Sequence, residues 1–386
     1  MAKQLHIIVM SPLYKNGGGI QTWLVYFLKG ILEKDIYSKV YIYNIKPANY
    51  QDSISTLFKN KVECEFLDID LKNSIGKGNG FKNILDYTIK TIKLMRGLVK
   101  NNDKIIIIGT IFTAPVGIIS NFIFKKAIIA TWIRSRTVGE LAARKSKFIR
   151  IGNFLEKKLL NVSDIIIANG HDTLQYYKSI FPVHQKKMKV IENAVEYNKF
   201  SDLQIPNFRK NIISIAYLGR MVAAKGFSEY IKAANHLKSN SLSFSVHGHG
   251  GEIESDSIIY CGSYSPDDVT DVLSRHGIIV FLNKNNSAGG LSHGLLEAMA
   301  SGRLIIAWDN PIHSQVLDKN NSILIEEGNE KDLIKAFESF TKLSDEDIAS
   351  LEKKCLQVRK KAKDYSVEKH IDKFIAIMDK NSFDNK

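Results

Sequence analysis

A loop rich in glycine and serine in the last third of the chain combines features that suit a phosphate group. Residues 287–292 form a predicted turn, and a helical pattern follows it as far as Gly302. The first backbone N–H groups of a helix have no partner within the helix, so a helix that begins on a glycine turn can bind an anion. Glu297 lies two turns into this helix, at the reach expected for a carboxylate that holds ribose hydroxyls. The alternative is an ordinary strand–helix–strand unit with a surface glutamate.

A second loop places two basic side chains at the end of a predicted strand. The apolar run 212–218 is typical of a buried parallel strand, and Gly219 and Arg220 follow it directly. Lys225 then precedes a helical pattern at 227–237. Because open α/β sheets bind ligands at the carboxyl edge of their strands, an arginine and a lysine here suit a diphosphate. The alternative is a solvated basic pair.

A third glycine-rich segment, 17–19, follows the first predicted strand and opens a helix. Glycine permits a positive φ and a close approach of the backbone to a ligand. The pattern GGGIQT differs from the dinucleotide-binding G-x-G-x-x-G, so a Rossmann dehydrogenase is disfavoured.

His247 and His249 could suggest a metal site. They stand at the end of a predicted strand with no third ligand type and no cysteine nearby, so we expect no metal site there.

Five segments, in this order along the chain, resemble the retaining nucleotide-sugar glycosyltransferases of family 4. They are GGGIQTWL at 17–24, KVIENAVE at 189–196, LGRMVAAKG at 218–226, HGHGGE at 247–252 and GGLSHGLLEAMASG at 289–302. The likeness runs from about residue 5 to about residue 378 and is most specific in the C-terminal half.

The resemblance implies the α/β GT-B fold, in which two Rossmann-like domains with doubly wound parallel sheets face each other across a cleft. The expected N-terminal, acceptor-side domain covers residues 1–195, and the expected nucleotide-sugar domain covers residues 208–365. Residues 194–208 are the expected linker, and a C-terminal helix at about 366–386 is expected to pack back on the first domain.

The resemblance also implies roles for particular residues. It assigns catalysis to Arg220 and Lys225, with Arg134 as a further candidate near the reacting centre. It assigns donor binding to Gly18, Gly19, Gly219, Gly262, Ser263, Gly290, Leu291, Ser292, His293 and Glu297. The implied reaction transfers a hexosyl group from a nucleoside diphosphate, with UDP as the expected nucleotide, to a glycan, glycolipid or surface-polymer hydroxyl. No metal ion or other cofactor is expected.

Three positions depart from the family pattern. Gly289 stands where the family has a glutamate that faces the donor sugar, and residues 127–136 lack the usual histidine, with Arg134 close to its place. Gln315 replaces a further glutamate. These departures keep open a non-catalytic GT-B subunit that supports a partner transferase. Another GT-B enzyme, such as a nucleotide-sugar epimerase, is a third reading.

Bulk properties favour a soluble two-domain protein. The chain has 386 residues, of which 44% are hydrophobic, and its mean hydropathy is −0.12. Its three cysteines, an odd number far apart in sequence, predict neither a disulfide framework nor a metal site and fit a reducing cytoplasm. Residues 1–13 do not have the layout of a signal peptide.

Residues 105–124 carry no charge and are long enough to span a bilayer. Gly109 and Pro115 divide them into an isoleucine strand, a turn and a short helix. This division favours one strand–helix step of a buried parallel sheet.

Positive charge is concentrated in the first half of the chain. Residues 1–200 hold 31 Lys and Arg against 15 Asp and Glu, a net charge of +16, whereas residues 201–386 hold 23 against 25. Helical patterns at 80–101 and 144–160 mix apolar side chains with lysine and arginine, as in helices that lie on an anionic membrane. The alternative is a pair of sheet-covering helices with basic outer faces. Without a recognition motif or a basic–aromatic run, nucleic acid is not an expected partner.

Strand and helix patterns alternate along the whole chain, which predicts doubly wound parallel sheets. Strands are predicted at 5–10, 39–44, 104–109, 127–132, 164–168, 189–192, 212–218, 243–247, 258–261, 277–282, 304–307 and 323–326. Helices outside the site loops are predicted at 19–33, 80–101, 115–124, 146–160, 172–180, 330–343, 345–363 and 366–380.

Overall fold

A computed structural model describes residues 3–72, 80–143, 148–237, 239–251, 255, 257–285 and 289–380. The chain divides into two compact units. Unit 1 consists of Met1–Glu192 and His370–Lys386, and unit 2 consists of Asn193–Lys369. Arg144, Lys145, Lys147, Glu252 and the first part of the turn 287–292 lie outside the described residues.

Unit 1 is built on a parallel seven-stranded sheet with the order β3-β2-β1-β4-β5-β6-β7. Its strands are β1 Gln4–Pro12, β2 Lys39–Ile45, β3 Cys64–Ile69, β4 Lys104–Ile108, β5 Ile128–Ile133, β6 Ile165–Ala168 and β7 Met188–Val190. Its helices before unit 2 are α1 Gly19–Glu33, α2 Gly80–Leu98, α3 Ala114–Ile123, α4 Thr137–Ala143, α5 Ile149–Val162 and α6 His171–Ile180.

Helices cover both faces of this sheet. Ile129 of β5 packs in the cluster that holds Met95 of α2 and Leu159 of α5. Trp132 of the same strand points to the opposite face because side chains alternate along a strand. There its ring lies 5.7 Å from the ring of Phe27 in α1. Both faces are therefore buried, which explains why the central strand β4 is an unbroken run of isoleucine from Ile105 to Ile108.

Unit 2 repeats the design with a parallel six-stranded sheet in the order β10-β9-β8-β11-β12-β13. Its strands are β8 Ile213–Leu218, β9 Leu242–His247, β10 Ile258–Gly262, β11 Ile278–Phe281, β12 Leu304–Asp309 and β13 Ile323–Glu326. Its helices are α7 Tyr197–Ser201, α8 Phe227–His236, α9 Val269–Arg275, α10 His293–Ala300, α11 Glu330–Glu338 and α12 Asp345–Ala362.

The last helix, α13 Val367–Lys380, begins in unit 2 and belongs to unit 1 from His370 onwards. Within unit 1, Phe374 stacks on Trp132 with a centroid separation of 5.9 Å, and His370 accepts a hydrogen bond from the Trp23 indole N–H. Two residues of this last helix therefore complete the aromatic core of unit 1.

Several short elements have no counterpart among the sequence expectations, among them β3, α4, α7 and α9. The edge strand β3 was not predicted, because Glu65 and Asp68 interrupt its apolar pattern. Residues 194–208, expected to be a linker, follow the boundary between the two units and include α7, with Val195 and Phe200 buried in a core cluster of unit 2.

Residues 105–124 form β4, a turn and α3, as predicted. Among the described residues, no helix has both the length and the apolar character needed to cross a bilayer.

Candidate functional site

The carboxyl edge of the unit 2 sheet begins with three neighbouring glycines. Gly262, Gly248 and Gly219 stand at the ends of β10, β9 and β8, and backbone hydrogen bonds of 2.9 Å join Gly248 N to Gly262 O and Gly219 N to His247 O. A Cβ atom added to Gly248 would lie 1.8 Å from Gly219 O. The backbones therefore touch here, and a side chain at residue 248 cannot be accommodated without a shift.

The loop after β8 holds Arg220 and Lys225 at this edge. The Tyr217 hydroxyl donates to Arg220 O at 2.6 Å, and the Met221 N–H donates to His249 O at 2.8 Å. Gly226 follows with a φ of +69°, and a Cβ there would lie 2.2 Å from Leu282 Cβ. The loop thus has a fixed backbone, and Gly226 lets α8 begin directly against the end of β11.

The two basic side chains differ in exposure. Arg220 is exposed, whereas Lys225 is half-buried. Desolvation by burial lowers the pKa of Lys225 to about 8, and the positive charge of Arg220 lowers it further in the same direction. Within the described part of the chain, neither side chain forms an ion pair with a carboxylate. An anion bound beside them would favour the protonated form of Lys225.

The turn before α10 contains two glycines with left-handed backbone conformations. Gly289 and Gly290 both have a φ of +77°, a region that residues with a Cβ rarely adopt. Ser292 is the N-cap of α10, and its hydroxyl accepts from the Leu295 N–H at 3.2 Å. Leu291 is buried, and its carbonyl accepts from the Asn193 side chain at 2.5 Å.

His293 is the first residue of α10, and one nitrogen of its ring contacts a backbone carbonyl. The ring is buried, and Nδ1 lies 3.0 Å from Ala194 O. The imidazole therefore fixes the start of α10 against residue 194.

Glu297 is in the second turn of α10 and is buried. It lies close to Tyr264, which follows Gly262 and Ser263 in the loop after β10. Burial raises the pKa of the Tyr264 phenol, and the negative charge of Glu297 raises it further. The structure thus brings the predicted carboxylate together with the loop at 262–264. Tyr264 was not among the predicted site residues.

A buried histidine pair lies beside this loop and was not predicted. His247 Nε2 lies 2.8 Å from His276 Nε2, and His276 Nδ1 lies 2.7 Å from the Ser214 hydroxyl. Burial is the main cause that lowers both pKa values, that of His276 to about 4, so the pair is neutral near pH 7. His247 therefore packs against Tyr264, with ring centroids 6.2 Å apart, as part of the structure. No group of three metal-ligating side chains is found among the described residues.

Loops after the three remaining strands of unit 2 are tied together by a network that the sequence did not reveal. The Asn310 side chain donates to Asn283 O at 2.8 Å and to Glu327 at 2.7 Å. Glu327 also accepts from the Asn285 N–H at 2.9 Å. Gln315, one of the departures from the family pattern, donates to Ile312 O at 2.9 Å within its own loop.

In unit 1, the glycine segment 17–19 leads directly into α1. The Gly18 carbonyl accepts from the N–H groups of Gln21 and Thr22, and α1 begins at Gly19. Gly18 has a φ of −81°, so the positive φ that glycine permits is not used at this residue. A Cβ added there would meet no protein atom within 4 Å, so the space beside Gly18 is open.

Arg134 follows β5 at the same edge of the unit 1 sheet. Its guanidinium carbon lies 4.8 Å from the centroid of the Trp23 ring in α1. Burial lowers the pKa of Arg134 to about 9. Arg136, two residues later, forms an ion pair of 2.7 Å with the buried Asp172. Asp172, in the first turn of α6, is thus held by an arginine.

A family model and one curated relative match part of the chain. Residues 213–342, all within unit 2, match the family model "Glycosyl transferases group 1". An uncharacterized glycosyltransferase of Methanocaldococcus jannaschii is 23% identical over 224 residues, which are 53% of this chain and 51% of that protein. The matched region thus spans about half the length of this relative.

Solved structures resemble the whole chain. Sucrose-phosphate synthase from Thermosynechococcus elongatus has a TM-score of 0.76 at 13% identity, with 98% of both chains covered. Anabaena HepE, solved in complex with UDP-glucose, has a TM-score of 0.71 at 13% identity, also with 98% of both chains covered. The protein therefore has the GT-B fold expected from its sequence, and its second unit carries the match to the group 1 glycosyl transferases.

Proposed function

We propose that the protein is a retaining glycosyltransferase that moves a hexosyl group from a nucleoside-diphosphate sugar to an acceptor hydroxyl. The observation that carries this proposal is the cationic loop of Arg220 and Lys225 beside the glycine edge of unit 2. A fixed backbone presents an exposed guanidinium and a half-buried ammonium whose pKa is lowered to about 8. Such a loop suits the diphosphate of a nucleotide sugar.

The chemical difficulty of the reaction is the negative charge that grows on the departing diphosphate. Cations that are already in place stabilise this charge without reorganising during the reaction. Arg220 and Lys225 supply the cations, and the capped N-terminus of α10 adds the positive end of its dipole. These groups provide the electrostatic stabilisation without a divalent ion, so we propose a metal-independent transfer.

In the transfer step, the acceptor oxygen bonds to the anomeric carbon as the bond from that carbon to the leaving phosphate oxygen breaks. A phosphate oxygen takes the acceptor proton on the same face of the sugar, which retains the anomeric configuration without a separate protein base. Glu297 holds the ribose hydroxyls, and the loop of Gly262 and Ser263 holds the base through backbone groups. In unit 1, we propose the backbone at Gly18 and Gly19 and the Arg134 guanidinium as substrate contacts.

We propose UDP as the nucleotide, because HepE, whose fold is similar, was solved with UDP-glucose. The proposed acceptor is a glycan, a glycolipid or a growing surface polysaccharide, and the proposed location is the cytoplasm, at the inner face of a membrane.

Binding is the first property to test. The purified protein should be melted in the presence of UDP-, GDP-, ADP- and CMP-sugars, with and without EDTA. A UDP-sugar at about 100 times its dissociation constant should stabilise the folded state by about 2.7 kcal/mol, and EDTA should not change the shift. The absence of a shift with every nucleotide would contradict the donor site.

Turnover separates the enzyme from its main alternative. A nucleotide-induced shift without sugar transfer or donor hydrolysis would support a non-catalytic GT-B subunit, for which Gly289 is the motivating departure. At its φ of +77°, a glutamate would also strain the backbone, because residues with a Cβ rarely adopt this region. Release of UDP from the donor, stimulated by an acceptor, would establish the transferase.

A further inference from the structure

Helices α2, α3 and α5 form one side of unit 1, with α3 between the other two. Their inner sides cover the sheet. Met95 of α2, Val116 of α3 and Leu159 of α5 are fully buried in one cluster with Ile107 of β4. The inner residues of these helices are therefore sufficient to cover the sheet.

The outer sides of the same helices carry large apolar residues that sheet packing does not require. Phe81 and Ile89 of α2 are 76% and 58% exposed, Phe122 of α3 is 78% exposed, and Phe154 of α5 is 59% exposed. Leu85 and Ile151 are also exposed. We call these six residues and the cations between them the three-helix surface.

The exposed charges of the three helices themselves are mostly positive, and the carboxylates nearest to them, Glu65, Asp68 and Asp70, line a groove with Lys93 at the β3 side of α2. Exposed cations are contributed by α2 and α5, namely Lys82, Lys93, Arg96, Arg150, Lys157 and Lys158. The acidic residues of the three helices are Asp86 and Glu156. Asp86 is occupied by the Lys90 ammonium at 3.0 Å and by the Lys72 N–H, and Glu156 is fully buried against the Tyr177 hydroxyl. The three-helix surface therefore presents cations and apolar groups together.

We infer that the three-helix surface docks on an anionic lipid bilayer. Aromatic and aliphatic side chains can enter the boundary between headgroups and acyl chains, while lysine and arginine contact the anionic headgroups. Long basic side chains are suited to this arrangement because their stems lie along apolar groups while their charges reach water. Lys158, whose ammonium lies 5.7 Å from the centroid of the Phe154 ring, shows the two kinds of group side by side.

Two other occupants fit the surface less well. A second copy of the chain related by two-fold symmetry would bring the same cations towards one another, which opposes association. A nucleic acid would pair with the cations but would leave the aliphatic groups of Ile89 and Ile151 without an apolar partner.

Unit 2 provides the internal comparison. Its exposed large apolar residues are Ile212, Ile259, Tyr260 and Leu356, which stand on three separate segments of the described chain. Lys353 and Lys360 of α12 are exposed cations on this unit. Pairs of substitutions on unit 2 can therefore serve as controls of similar exposure, with the same residue type for the lysine pair and an aliphatic pair for the apolar one.

The test is co-sedimentation of the full chain with vesicles of phosphatidylcholine alone and of phosphatidylcholine mixed with phosphatidylglycerol. We expect binding to the mixed vesicles only, and weaker binding as salt is added. K82E/K158E should weaken this binding by at least about twentyfold, because each cation near the surface contributes about fivefold. I89S/F154S should weaken it by about tenfold.

The matched controls are K353E/K360E and I259S/L356S on unit 2, which should bind vesicles as the wild type does. All substituted residues are exposed, so thermal melting should show that the four variants fold. Equal binding by the wild type and both surface variants would overturn the inference, as would binding that neutral vesicles support equally. A wild-type dimer that I89S/F154S dissociates, without vesicle binding, would assign the surface to self-association instead.

This inference does not depend on the proposed reaction. Vesicle binding needs no nucleotide sugar, and the UDP-dependent thermal shift needs no lipid. A failure of one measurement therefore leaves the other unchanged.

Discussion

The two units share one architecture but use their surfaces differently. In unit 2, the informative region is the carboxyl edge of the sheet, where backbones at Gly219 and Gly248 touch and Arg220 and Lys225 stand in a fixed loop. In unit 1, much of the unusual chemistry lies on the outer sides of helices, where Phe122 and Lys158 are exposed. Two units of the same architecture can therefore carry their distinctive features in different places. In unit 2 the distinctive feature is the backbone at the strand ends, and in unit 1 it is the set of side chains on the outer sides of the helices.

The largest effect is expected from removing a cation of the unit 2 loop. R220A and K225A should each lower turnover by about 10²–10³-fold, because each removes a charge that stabilises the departing diphosphate. Steady-state kinetics with a UDP-sugar measures this, and K353A on α12 is the matched control. Turnover at the wild-type rate in both variants would contradict the assignment of this loop.

The next effect separates a glycine that the fold requires from one that a ligand would require. G248A should destabilise the protein by about 1–3 kcal/mol, since its Cβ would lie 1.8 Å from Gly219 O. G18A should destabilise the protein by less, at most about 1 kcal/mol from the N-cap of α1, since no atom beyond its chain neighbours lies within 4 Å of its added Cβ, and should lower turnover. Urea unfolding and kinetics on both variants measure the difference. If both changed stability equally, the contrast between the edges of the two sheets would fail.

A smaller effect is expected at the buried carboxylate of α10. E297A should weaken UDP affinity by about tenfold through the loss of charge-assisted hydrogen bonds to the ribose. Isothermal calorimetry with UDP gives the affinity, and E326A, an exposed carboxylate at the end of β13, is the control. Unchanged affinity in E297A would remove the ribose role.

The smallest effect is a dependence of UDP-sugar affinity on pH. Without ligand, the pKa of Lys225 is about 8, so a pH rise through this value removes the proton and weakens attraction for a diphosphate. The affinity for a UDP-sugar, whose diphosphate does not titrate in this range, should be nearly constant below about pH 8 and fall by about fivefold between pH 8 and pH 9. Calorimetry above this pH should also show proton uptake on binding. K225R should abolish the dependence, and a persisting dependence would point to another group.

Much of the fold was predictable because most of its strands are apolar runs that can be recognised from a few consecutive residues. The run from Ile213 to Leu218 and the glycines that follow it identify a buried strand and its loop from sequence alone. The edge strand β3 escaped because Glu65 and Asp68 interrupt its pattern. The burial of Val195 and Phe200 was not predicted, because it depends on partners far along the chain.

The candidate site was predictable to the extent that it follows strand ends. Arg220 and Lys225 follow a recognisable strand, and Glu297 lies in a helix that follows a glycine turn, so the local sequence was enough to select them. The pairing of His247 with His276, the contact of Arg134 with Trp23 and the proximity of Tyr264 to Glu297 join residues from different elements. No local pattern encodes such pairings, since they arise only when the sheet has brought its strands into order.

The assignment of α13 has a consequence for how the protein is made. Trp23, Phe27 and Trp132 are translated early, but their partners His370 and Phe374 are translated only after all of unit 2. The first-made unit therefore leaves part of its aromatic core uncovered while the ribosome completes the second, which can close its own core sooner. Truncation of the chain before His370 would therefore destabilise unit 1, most of which is encoded at the other end of the gene.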